Sequence, residues 1–148
     1  MANLKHLLFM VNSGSDKPFN HYAAFVVAFA AKFIGKIEDV TIYYGAYGIE
    51  MTQKGKLKNL KISDDVKKLV AGQIEGIGPA DLPDNLEDLG RFLKEKMGVR
   101  MVSCATFHVI EGVGKGLNDK SNLVDFIEPV TIPEAAGIFL AAEKIFNY

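Results

Sequence analysis

Residues 4–16 read Leu4-Lys5-His6-Leu7-Leu8-Phe9-Met10-Val11-Asn12-Ser13-Gly14-Ser15-Asp16. From Leu4 to Val11 the chain is nearly continuous in apolar residues, and the run stops at a cluster of small polar turn formers. Such a run, closed by a turn, reads as a strand buried on both faces in a parallel sheet. This reading decides the fold class, because parallel strands require long crossover connections, usually helical.

The downstream sequence supplies that connection. From Phe19 to Ile34 the large residues Tyr22, Phe25, Val26, Phe29 and Phe33 recur at helical spacing, with alanines filling most of the remainder. A helix apolar all round predicts burial on all sides, its alanine face packed against another element or another subunit. Gly35 ends it, and Val40 to Tyr44, rich in β-branched and aromatic residues, forms a second strand closed by Gly45. The segment from Ala46 to Gly98 holds a short helix near Tyr47 to Gln53, a basic loop, a helix from Asp64 to about Ile74 and a Gly/Pro-rich turn. A further helix spans about Asn85 to Met97, with Asp84 and Glu87 as its capping box and Gly98 as its stop.

Val99 to Ser103 is the third strand. A short helix from Ala105 to about Val113, a fourth strand around Val124 to Val130 limited by Pro129, and a capping box at Thr131-Ile132-Pro133-Glu134 follow. That box opens a helix through Ala142, and Lys144 to Tyr148 is the fifth strand. The alternation predicts an α/β fold in one domain over residues 1–148, its mostly parallel sheet covered on both faces.

Composition narrows the function classes. The 148 residues are 49% apolar and 24% charged, ordinary for a globular protein without disorder. The 17 basic and 18 acidic residues nearly cancel and are interspersed, so the footprint of a nucleic-acid binder is missing. The longest apolar run, Ala23 to Ala31, is half of a membrane span. Met1 to Leu8 lacks the apolar core and cleavage site of a signal peptide, which predicts a cytoplasmic protein. The one cysteine permits no internal disulfide and fits a reducing compartment.

That cysteine, Cys104, follows the third strand and precedes a helix, a junction where α/β proteins build their sites. The unpaired N–H groups and positive dipole of a helix start favour a thiolate. A small buried hydrophobe is an equally good reading of Cys104 from the residues alone. His108, four residues on, shares its helical face and is a candidate thiolate partner, with helix packing as the competing reading. Glu111 reads as a solvated carboxylate. The loop Ser13-Gly14-Ser15-Asp16-Lys17, at the first strand-to-helix junction, is a candidate anion site, with Ser13, Gly14, Ser15 and Lys17 as its contacts, or an ordinary turn. It lacks the glycine fingerprint of nucleotide loops. Gly112, Gly114 and Gly116 read as a helix stop. His6, His21 and His108 show no metal-ligand spacing, and neither a metal nor a cofactor is expected.

Taken together, several segments carry a resemblance. They are the Asn12 to Asp16 turn after strand one, the alanine-rich helix, Asp39-Val40-Thr41-Ile42-Tyr43-Tyr44 leading to Gly45 and Gly48, Val99 to Cys104 with Gly112 eight residues later, and Phe126-Ile127 before a capped helix and a last strand around Ile145-Phe146. The chain resembles the DsrE/DsrF-like (TusD-like) sulfur-relay family over nearly its whole length. The resemblance implies a three-layer α/β/α sandwich with a five-stranded parallel sheet, assembly into trimers or hexamers, and a sulfur carrier or sulfurtransferase subunit that holds a persulfide on Cys104 between sulfur donor and acceptor proteins. Some relay members have a second cysteine nearby and this chain has none, so sulfur would leave to an external thiol. The competing functions are a non-catalytic module binding a small anion or nucleotide, and a structural subunit of a larger assembly. The long segment containing Ile77 to Pro83 has an open role as a cover for the cysteine or a partner surface.

Overall fold

The computed structural model describes residues 4–148; Met1–Asn3, where the stretch read above for a targeting signal begins, lie outside them. Five parallel strands form one sheet: β1 (His6–Val11), β2 (Asp39–Tyr44), β3 (Arg100–Cys104), β4 (Glu128–Val130) and β5 (Lys144–Asn147). Their order is β4-β3-β2-β1-β5. The chain therefore steps outward from β1 three times and then returns across the sheet to place β5 on the other side. Right-handed crossovers keep helices on one face while the stepping direction is constant and move them to the opposite face when it reverses.

The two cores follow that rule. On the first face, Leu7, Phe9, Val11, Val40, Ile42, Tyr44 and Met101 pack with α1 (Pro18–Phe33) and α3 (Leu86–Met97), and residues 123–127 close the layer. On the second face Leu8, Met10, Tyr43, Val102 and Val130 meet only α5 (Ile132–Ala141), through Ala135 and Ile138. The first core is large and the second small. Both faces are covered, as the alternation of strands and helices predicts, the second by one helix of ten residues.

Several local expectations shift. Asn85, not Asp84, caps α3: its side chain accepts from the Asp88 N–H at 2.9 Å and returns a bond to the Asp88 carboxylate at 3.0 Å. Asp84 pairs with Lys67 instead. The helix α2 (Asp64–Ala71) stops at Gly72, short of Ile74. The segment after β2 is a 3-10 helix, Ala46–Thr52. Val124–Ile127 is a buried turn rather than strand, its Val124 N–H bonded to the Thr52 carbonyl at 2.9 Å, so β4 is only its last three residues. At α5 the Thr131–Glu134 capping box forms as the sequence predicts. Gly98 ends α3 at φ 70°, a left-handed conformation that glycine adopts without strain.

α1 is not covered on every side. His21, Ala24, Phe25, Ala28 and Phe29 are buried, while Phe19 and Val27 stay exposed. Close packing between α1 and α3 depends on Gly90: a Cβ there would lie 2.6 Å from the Phe126 ring and 3.2 Å from that of Phe25. Both rings are buried in the main core. Gly90→Ala should therefore destabilise the fold by about 1–3 kcal/mol through overpacking, despite the better helix propensity of alanine. A urea titration checks this; an unchanged or raised midpoint would show that the rings have room to move.

Candidate functional site

The residues singled out in the sequence lie at or just beyond the carboxyl ends of β1 and β3, in two separate groups. Cys104 is the last residue of β3 and the N-cap of α4 (Ala105–Ile110), half-buried, with no capping bond from its side chain. Strand alternation puts it with Val102 on the second face, and from the end of the strand it packs against both the small core and the main core. Tyr43 belongs to the same core. Burial, and next the neighbouring Cys104 sulfur, raise the Tyr43 phenol well above its ordinary range, so it remains a protonated donor beside the thiol. The Tyr43 ring in turn meets Phe139 of α5 edge-on, with 5.3 Å between centroids.

His108 takes a different place from the one its spacing suggested. It is buried, and its Nε2 lies 2.6 Å from the hydroxyl of Ser103, on the strand residue before the cysteine. Ser103 alternates to the first face, away from the side Cys104 shares with Val102. The His108 carbonyl accepts from the N–H groups of Val113 and Gly114 at 2.8 and 3.0 Å. His108 thus ties the end of β3 to the turn that closes α4. That turn passes through Gly112 at φ 74°, which is why the helix ends at Ile110 rather than continuing to Val113. Glu111 is exposed, as a solvated carboxylate.

The loop after β1 is occupied from within. The Ser15 N–H donates to the carboxylate of Glu50 at 2.5 Å, and a Cβ on Gly14 would collide with that same carboxylate. Ser13 is buried and its hydroxyl accepts from the Asn20 side chain at 2.7 Å. Lys17 stands at the N-cap of α1, before Pro18, without a side-chain capping bond. The predicted anion contacts Ser13, Gly14, Ser15 and Lys17 do line one cavity of about 400 Å³ except for Ser15, together with Asn12, Asp16, Tyr47 and Glu50. Glu50 and Asp16 make this a mixed site, and the carboxylate already bound to Ser15 stands where an external anion would.

Behind the loop, His21 is fully buried with Nε2 3.0 Å from the Gly14 carbonyl, and its ring stacks on that of Tyr44. Among the described residues, no group of three His, Cys, Asp or Glu side chains is placed to hold a metal ion. Tyr43, Ser103 and Glu50 were missed in the sequence. Tyr43 was reachable: pairing β2 with β3 and following the two-residue alternation brings it to the cysteine's side. Glu50 carried no signal, since it lies on an irregular segment.

No family model and no curated protein matches the sequence. The fold does match: the crystal structure of the ychN protein from E. coli superposes with a TM-score of 0.64 over 98% of this chain and 99% of that one, at 16% identity. The chain shares the α/β fold of that structure, with its five strands in one parallel sheet. At that identity the likeness is one of fold, which matches the architecture expected from the sequence. No helix of the described residues is long and apolar enough to cross a membrane.

Burial lowers the pKa of both His21 and His108 below the ordinary imidazole value of 6.5, in His21 against smaller opposing effects of its hydrogen bonds and of Glu50 and Asp16. The unfolded chain then binds protons that the folded chain excludes, so the stability held above pH 6.5 is lost progressively as pH falls from there toward the folded-state values. The urea midpoint should fall between about pH 7.5 and pH 5, and less so in His108→Gln. Equal midpoints at the two pH values would show that these histidines are not buried neutral.

Proposed function

We propose that this protein is a single-thiol sulfur carrier: Cys104 accepts a sulfane sulfur, holds it as a persulfide and yields it to the thiol of an acceptor. The observation that carries this reading is the setting of Cys104, half-buried at the end of a central strand with the protonated Tyr43 phenol beside it. The Cys104 thiolate attacks the outer sulfur of a donor persulfide, the donor leaves as its thiolate, and the new S–S bond sits on Cys104. Attack by an acceptor thiolate on the outer sulfur reverses the sequence and regenerates Cys104. Tyr43 donates to the sulfur bearing negative charge at each stage. His108 holds the strand end in place through Ser103 rather than titrating against the thiol. With no second cysteine in the chain, release needs an external thiol. A DsrE-like fold is compatible with this chemistry.

The carrier is proposed to work as a homo-oligomer, a trimer or hexamer. Support comes from α5, where Ile132 and Leu140 are 68% and 88% exposed and Phe139 reaches the surface beside Tyr43. Glu134 is the only charged residue of that helix, and its carboxylate is engaged in the cap. A second copy on this face would cover the thin side of the sheet.

Incubation with a small-molecule persulfide or tetrathionate should add sulfur to Cys104 in intact-mass spectra, and Cys104→Ser should remain unmodified. Tyr43→Phe should slow uptake by about tenfold, the loss of one hydrogen bond to a charged sulfur. If Cys104 reacts with iodoacetamide yet takes sulfur from no donor, the carrier reading fails. Light scattering should give a mass above the monomer, falling to that of the monomer in Leu140→Glu; a monomeric wild-type protein would remove the assembly from the proposal.

A further inference from the structure

A second cavity lies in the helical layer on the first face, in a groove between α1, α2 and the start of α3, with a volume of about 400 Å³. That volume is within the range of roughly 300–1,000 Å³ typical of small-ligand pockets. Its walls are apolar, with Tyr22 and Val26 from α1, Val66 and Val70 from α2, and Leu86 and Leu89 from α3. The helix α2 explains why the groove is open. It is amphipathic, yet the residue it buries is Lys67, drawn down to Asp84; Val66 remains 42% exposed beside the groove.

The polar groups of the walls are already used. The Tyr22 hydroxyl donates to the Lys61 carbonyl at 2.6 Å, Ser63 caps α2, and the Ile62 and Leu86 N–H groups bond to the Asp84 and Leu60 carbonyls at 2.8 and 3.0 Å. The interior therefore recognises a ligand by apolar contact. Lys61 is the one charged residue among those lining the groove, and among the described residues its ammonium has neither an ion-pair nor a hydrogen-bond partner. Nearby Asp84 is occupied by Lys67. Lys61 also ends the basic run Lys54, Lys56, Lys58, which contains no acid.

An apolar trough with a single cation at its wall matches a ligand with an apolar chain and one anionic end. We propose that this groove binds a free medium-chain carboxylate, its alkyl chain between α1 and α2 and its carboxylate at Lys61. The site is separate from Cys104, which lies at the carboxyl end of β3 and does not line the groove.

The test is titration of the full chain with hexanoate, octanoate and decanoate below their micelle concentrations, followed by methyl NMR and calorimetry. Binding should shift the methyl signals of Val66, Val70 and Leu86 and tighten about threefold to fourfold for each added methylene. Lys61→Gln should weaken decanoate at least fivefold and leave 1-decanol unaffected, while Val66→Asp, at an exposed position that the core does not need, should abolish both. The proposal is overturned if decanoate binds without saturation, if its binding is insensitive to both substitutions, or if wild-type protein holds decanol as tightly as decanoate. It is likewise overturned if the groove signals move with protein concentration and not with carboxylate, since the occupant is then a second copy of the chain.

Discussion

The handedness of parallel crossovers is the constraint on which the rest of this molecule depends. Three outward steps from β1 load helices on one face, and the single return step carries α5 to the other. A five-stranded sheet thereby acquires one thick covering and one thin covering. Strand alternation then assigns side chains to one or the other. Tyr44 falls under the thick layer and its sequence neighbour Tyr43 under the thin one, while Cys104, at the end of its strand, touches both. The placement of the thiol is thus a consequence of topology as much as of local sequence.

At the carboxyl ends of the strands, most reactive side chains are consumed in holding the chain together. His21 secures the loop after β1 through Gly14, Glu50 fills that loop with its own carboxylate, and His108 with Ser103 binds the end of β3 to the turn after α4. These contacts replace water at groups that would otherwise be costly to bury. Cys104 is left at the margin of that network, packed against apolar neighbours and Tyr43 and contributing no cap to its own helix. A scaffold held by its neighbours, and a thiol that makes no capping bond, are the conditions the proposed sulfur transfer needs.

β1, β2 and β3 were legible because burial on both faces writes apolar runs, and they lie within a residue or two of the segments that predicted them, as does the mostly exposed β5. Val124–Ile127 misled for the same reason: the run is buried, but as a turn over the main core, and hydrophobicity does not distinguish the two. Asp84 and Asn85 are both competent caps, and the choice between them was made by Lys67, a partner 17 residues away. His108 shows the limit of helical spacing most clearly. Four residues from Cys104 would share its face in one continuous helix, but Cys104 is the N-cap with extended backbone, so its side chain follows the strand, and the buried Ser103 hydroxyl claimed the ring. The apolar circumference of α1 predicted burial on all sides, yet Phe19 and Val27 stay exposed, because helical hydrophobicity does not say how much of it the fold covers.

The sheet also ends abruptly. Its outer strands are β4, three residues with Pro129 at the centre, and β5, four residues beginning at Lys144. A proline gives no N–H to a neighbour, and so short an edge offers few backbone groups for another strand to grip. Edge-to-edge growth into extended sheets is thereby discouraged at both borders. Copies of the chain that associate must do so through side chains on their helical surfaces, where shape and polarity discriminate between partners, rather than through the backbone, which would accept almost any extended segment.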